Sequence, residues 1–170
     1  ETFIWKPFTA YTTLLNPRSK GKPETMSKPE LPSRMSSVDA TFLYTEHPTA
    51  PMHIAGLSII EGDFDQPTLA AFFNSKMHLM PRYRQRVVMA PLNLGHPTWQ
   101  DDPHFDINNH VETVTLPSPG TTVQLQRTAS AHFAGMLDRD RPLWKAIMIR
   151  GVEGNRCALL TLVHHCMVDG

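Results

Sequence analysis

The chain is short of cysteine and carries no long apolar run. Two cysteines, Cys157 and Cys166, are too few for a disulfide framework and suit a reducing compartment. The longest apolar stretches fall well short of the roughly 20 residues that a membrane-spanning helix needs. The first residues lack a basic start, an apolar core and a small-residue cleavage site, so no secretory signal is evident. Formal net charge is zero, which leaves no electrostatic footprint for nucleic acid. There is no Gly-x-Ser-x-Gly elbow, which removes the common serine-hydrolase reading. There is no glycine-rich phosphate loop either, and no internal repeat. What is present is an apolar content of 41% in 170 residues, which suits one globular core.

Residues 1–34 stand apart. Proline, lysine and serine crowd 16–23 and 28–32 without an apolar period, so the segment reads as a disordered extension or upstream read-through, with Met26 or Met35 as the start. Order is expected from Ser36, where Ser36-x-x-Asp39 is a helix-start pattern. A short helix through Phe42, Leu43 and Tyr44 follows and ends before Pro48 and Pro51. Residues 53–60 read as a strand with Ile54, Ala55, Leu57, Ile59 and Ile60 apolar, so both its faces are expected to be covered. Asp65 and Pro67 open a second helix, on which Leu69, Phe72, Phe73, Met77 and Met80 make one apolar face. Strands are expected at 87–89, near 98–100 and at 111–116. A third helix from Thr121 carries Leu125, Ala129, Phe133, Met136 and Leu137 on one face. Residues 143–149 and 157–163 form a hairpin across a turn at 151–155. Mixed strands and helices in this order make an α/β or α+β layer architecture.

The apolar run 157–163 is a buried strand that leads into His164-His165-Cys166-Met167-Val168-Asp169-Gly170. If the strand continues through the histidine pair, His164 and His165 point to opposite faces, and one can serve a reaction centre while the other packs in the wall. Asp169-Gly170 reads as a turn. A near-neutral imidazole can take a proton from an alcohol, so one of the pair could act as a base. A metal site from His164, His165 and Asp169 is the sharp alternative, weakened because adjacent strand histidines diverge. A Cys166 thiol nucleophile is weak for the same reason. Arg82, Arg84 and Arg86, at period two, could line one strand face and meet ligand phosphates or an anionic lipid surface. A solvated edge is the plainer reading. Phe72, Phe73 and Met77 could line an acyl channel, but at helical spacing core is plainer.

All four fixed positions of the terminal stretch match the HHxxxDG motif, and the chain resembles the acyl-CoA-dependent acyltransferases that carry it. That superfamily includes chloramphenicol acetyltransferase, peptide-synthetase condensation domains and the bacterial wax ester synthase/diacylglycerol acyltransferases. Three further stretches look like the last of these families. They are Met35 to Tyr44 followed by Pro51-Met52-His53-Ile54-Ala55-Gly56-Leu57, then Pro81 to Arg86, then Pro142-Leu143-Trp144. The resemblance covers residues 35–170 and implies the first, incomplete lobe of a two-lobed, chloramphenicol acetyltransferase-like fold.

The resemblance further implies an active-site tunnel between two lobes, acyl-CoA as substrate rather than bound cofactor, and diacylglycerol or a long-chain alcohol as acceptor. His165 would be the general base and His164 a wall or orienting residue. Asp169 would make a structural ion pair, with Arg141 and Arg150 both open as partners, and Gly170 a tight turn. A cytoplasmic place follows, at the inner membrane or lipid-droplet surface if peripheral. The chain starts at Glu1 and stops on the motif, so it is expected to be part of a longer protein and inactive alone. A lipid- or partner-binding fragment and a condensation-domain relative remain the competing readings.

Overall fold

The computed structural model describes residues 33–168. The extension expected over 1–34 lies outside them, save for Ser33 and Arg34. Those two already pair with the rest of the chain: Trp99 donates to the Ser33 carbonyl at 2.6 Å, and Arg34 bridges Thr98.

Three helix starts are written locally. The Ser36 hydroxyl accepts from the Asp39 amide and caps α1 (Ser37–Thr45). Asp65 caps α2 (Gln66–Lys76) through the Thr68 amide, with Pro67 in the first turn where a missing N–H costs nothing. Thr121 and Gln124 form a reciprocal capping box at the head of α3 (Thr122–Phe133). Gly120, just before it, holds φ at 74°, and a side chain there would run into the Gly151 carbonyl.

Six strands follow the expected order: β1 (His53–Glu61), β2 (Gln85–Val88), β3 (Thr98–Asp101), β4 (Val111–Thr115), β5 (Trp144–Val152) and β6 (Arg156–His164). Four of them make a mixed sheet in the order β1-β6-β5-β4, and β2 with β3 makes a separate antiparallel ribbon. β5 and β6 are the expected hairpin, while β4 runs parallel to β5 with α3 as the crossover. Side-chain alternation on β5 and β6 splits the interior into two cores. Ile147, Ile149, Leu160 and Leu162 meet Leu43, Leu125 and Leu137 on one face. Trp144, Ala146, Met148 and Cys157 meet Leu69, Ala70 and Met77 on the other. Helices therefore cover both faces of the central hairpin.

Four expectations change. β1 is not covered on both faces: it is an edge strand, and Ile54, Leu57 and Ile59 are 40%, 44% and 55% exposed. Its apolar composition is real, but these three side chains keep much of their surface exposed. Phe72 is exposed and leaves the apolar face of α2, which stops at Lys76. Met77 is buried instead from a following 3-10 turn. α3 likewise ends at Phe133, leaving Met136 and Leu137 beyond the helix. The three arginines do not share a strand face. Pro81–Arg84 is a 3-10 turn, and β2 begins only at Gln85. Arg82 lies over the Trp99 ring at 4.5 Å and Arg84 over the Phe105 ring at 4.9 Å.

Candidate active site

β6 ends at His164, and a 3-10 turn, His165–Met167, takes the chain out of the sheet. The two histidines therefore do not alternate across a strand. They separate because His164 caps the turn: its Nδ1 accepts from the Cys166 amide at 3.1 Å. With Nδ1 accepting, the neutral ring carries its proton on Nε2.

His164 is fully buried and held from three sides. Its amide donates to the Leu143 carbonyl at 3.0 Å. It stands opposite His53 across the β1–β6 pair. Its Nε2 lies 3.3 Å from Glu46 Oε1. That contact is close, yet Nε2 has no aligned hydrogen-bond partner, so the pairing is electrostatic more than directional. Burial pushes the imidazole down to about 4, against the pull of the Glu46 carboxylate, so the ring is neutral near pH 7.

Glu46 is the hinge of the arrangement. Its side chain is 1% exposed. Oε1 accepts from the Met52 amide at 3.1 Å, and Oε2 accepts from Arg139 Nε at 3.1 Å and from a terminal Arg139 nitrogen at 2.8 Å. Burial works against the carboxylate, but the Met52 amide, Arg139 and His164 together hold its pKa below the usual range. The same Arg139 nitrogen also donates to the Leu43 carbonyl of α1 at 2.8 Å.

His165 is half-buried, and its surroundings differ from those of His164. Its ring stacks on Phe42 of α1 with centroids 4.7 Å apart and planes 14° from parallel. Its amide donates to the Met52 carbonyl at 2.9 Å. No described residue hydrogen-bonds the ring nitrogens. Cys166 beside it is 3% exposed, and burial pushes its thiol up to about 12, which removes it as a nucleophile near neutral pH.

The Pro142-Leu143-Trp144 stretch sits directly behind the pair. Leu143 supplies the carbonyl under His164. Trp144 stacks on His110 at 4.6 Å and donates its indole N–H to the Tyr83 carbonyl at 2.9 Å. Asp169 and Gly170 lie outside the described residues, and so does any metal set that needs Asp169. Both cations considered for Asp169 are engaged elsewhere: Arg141 pairs with Asp138 at 3.1 Å, and Arg150 forms a bidentate pair with Asp63.

Glu46, Arg139, Phe42 and Met52 are the site residues that sequence reasoning missed as such. Phe42 and Met52 were visible as part of the N-terminal signature. Glu46 carried no signal, because a carboxylate just past a helix end reads as solvated, and its partner lies 93 residues away. Two cavities, of about 230 Å³ beside Met136 and Leu162 and about 470 Å³ beside Tyr44 and His96, are lined by neither His164 nor His165.

The His164 and Glu46 shifts predict acid sensitivity. A histidine at about 4 in the folded state and near its ordinary 6.5 when unfolded contributes stability above pH 6.5 that is lost as pH falls towards 4. Glu46, also depressed, adds a loss at still lower pH. For His164 the change is up to about 3 kcal/mol. Urea denaturation at pH 7 and pH 4.5 measures it, and a flat stability across that interval would contradict the assignment.

Comparison with known proteins points one way. The family model of the wax ester synthase/diacylglycerol acyltransferase catalytic domain matches residues 35–170. The chain is 37% identical over 141 residues to the probable diacylglycerol O-acyltransferase tgs1 of Mycobacterium tuberculosis, covering 81% of this chain and 30% of that protein. It is 36% identical to the probable diacylglycerol O-acyltransferase tgs3 of the same organism, covering 81% of this chain and 52% of that one. Among solved structures, the wax ester synthase/diacylglycerol acyltransferase from Marinobacter aquaeolei VT8 matches with a TM-score of 0.70 and 32% identity, covering 81% of this chain and 34% of that chain. The first condensation domain of the calcium-dependent antibiotic synthetase matches at a TM-score of 0.66 and 16% identity, covering 83% of this chain and 34% of that one, a likeness of fold alone. The mixed sheet is thus a partial lobe of the acyltransferase fold, and the chain spans only about a third to a half of these proteins' lengths. With a family match over residues 35–170, this chain belongs to the wax ester synthase/diacylglycerol acyltransferase catalytic-domain family.

Proposed function

We propose that the whole protein is an O-acyltransferase that moves a fatty acyl group from acyl-CoA to diacylglycerol, with long-chain alcohols as alternative acceptors. The observation that carries this reading is His165: a half-buried imidazole, stacked on Phe42, with no described hydrogen bond to its ring nitrogens, in a chain of this family. His165 takes the proton of the acceptor hydroxyl as its oxygen attacks the thioester carbonyl. The tetrahedral oxyanion collapses, the C–S bond breaks, and the coenzyme A thiolate recovers the proton from the imidazolium. Neutral His164 behind the base keeps a second positive charge away from the imidazolium as it forms. Acyl-CoA is consumed as substrate, and the chemistry calls for no bound cofactor or metal.

Among the described residues no helix is long and apolar enough to cross a membrane. In this reading the enzyme works peripherally, at the inner membrane or a lipid-droplet surface where its acceptor resides. The test uses the full-length gene product with palmitoyl-CoA and diolein, then with hexadecanol. Thiol release matched mole for mole by triacylglycerol is the expected result. Lipid binding without thiol release from palmitoyl-CoA in the presence of either acceptor would replace the enzyme with a binding protein.

A further inference from the structure

The base stands on a frame whose parts come from two segments distant in the chain, residues 42–52 and Arg139. Its backbone is held by the Met52 carbonyl, and the Met52 amide is held by Glu46 Oε1. Its ring is held by Phe42, and the adjacent Leu43 carbonyl is held by Arg139. Glu46 and Arg139 are themselves joined by two hydrogen bonds. Both supports of His165 therefore converge on one carboxylate–guanidinium pair. The pair is asymmetric: the Glu46 side chain is 1% exposed and that of Arg139 is 39% exposed. Glu46 also faces His164 Nε2, so the neighbouring histidine leans on the same carboxylate.

We propose that Glu46 and Arg139 are positioning residues for the acyl-transfer reaction, clamping α1 and the Met52 segment so that the His165 ring keeps its orientation towards the acceptor. This rests on the reading of His165 as the base. The pair touches no reacting atom. It acts by fixing the backbone on one side of the imidazole and the stacking ring on the other, and a base displaced by an ångström loses rate rather than substrate affinity. The planar guanidinium is required because one nitrogen must serve both the Glu46 carboxylate and the Leu43 carbonyl while a second grips the carboxylate.

The test is a kinetic cycle in the full-length enzyme with palmitoyl-CoA and diolein, with rates expressed per folded protein. R139Q strands the buried carboxylate and is expected to lower kcat by about 10- to 100-fold, with KM for palmitoyl-CoA within about twofold of the parent. E46Q keeps an oxygen for the Met52 amide and loses less. The double variant E46Q/R139Q, which removes both charges, recovers at least about fivefold over R139Q, because the two sites are coupled. R139K retains a cation without the fork and falls between the parent and R139Q. If R139Q gives no folded protein, E46Q and R139K must each lower kcat at unchanged KM. Variants that lose thermal stability while kcat per folded enzyme stays at the parent value would make the pair structural only and overturn the proposal, as would losses that simply multiply in the double variant. H165A is run alongside. If H165A keeps the parent rate, the base itself is wrong; if H165A is inactive and R139Q is not impaired, only the clamp is wrong.

Discussion

Replacing His165 with alanine is expected to lower kcat for acyl transfer by about 10²–10⁴-fold, the usual contribution of a positioned general base. The fold should survive. The His165 amide bond to Met52 belongs to the backbone and remains, and the side chain is only half-buried, so the chief structural loss is one face of Phe42. KM for acyl-CoA should change little, because in the proposed mechanism the imidazole acts on the proton of the acceptor rather than on the coenzyme. Cys166 cannot substitute, with its thiol pushed up to about 12 by burial. His164→Ala is the contrasting control. It empties a fully buried site and leaves the Cys166 amide and the Glu46 carboxylate each short of a partner, so its damage appears in stability first. Steady-state kinetics with parallel urea denaturation separate the two variants. An H165A enzyme at the parent rate would end the case for this base.

The largest effect on stability is expected at Trp144. The ring is 2% exposed, stacks on His110, leans on Phe73 and Tyr83, and donates its N–H to the Tyr83 carbonyl. Trp144→Ala removes all of these and leaves a cavity between α2 and the sheet, a change that costs about 3–5 kcal/mol. Trp144→Phe keeps an aromatic face and loses the indole hydrogen bond, for about 1 kcal/mol from that bond. Because Leu143, the residue before it, supplies the carbonyl under His164, the alanine variant should also loosen the histidine turn. Denaturation midpoints measure both variants. A Trp144→Ala loss under about 1 kcal/mol would mean that the site closes over the cavity.

Features that depend on a residue and its near neighbours could be read directly. Ser36, Asp65 and Thr121 announce their helices because a cap is a bond between a side chain and an amide two or three residues on. The β5–β6 hairpin is equally plain, since its strands are long apolar runs across a short turn with Gly154 and Asn155 at positive φ. Local reading failed where the neighbour was remote. Apolar β1 looked like a covered strand, but coverage depends on which remote elements pack over the sheet, and Leu57 and Ile59 stay exposed. Arg82, Arg84 and Arg86 looked like one face, but Pro81 opens a 3-10 turn and breaks the period of two.

At the site the division is the same. The paired histidines, the stretch before them and the family resemblance all belong to the sequence, because a motif is a contiguous arrangement of residue types. Which histidine is buried and which faces outward was decided by tertiary structure. The strand ends at His164 because that ring caps the following turn, and a backbone that leaves the pleat no longer alternates its side chains. The pairing of Glu46 with Arg139 was decided there too. A salt bridge across 93 residues exists only once α1 and the segment after α3 lie together against the same sheet, and no local periodicity encodes that meeting.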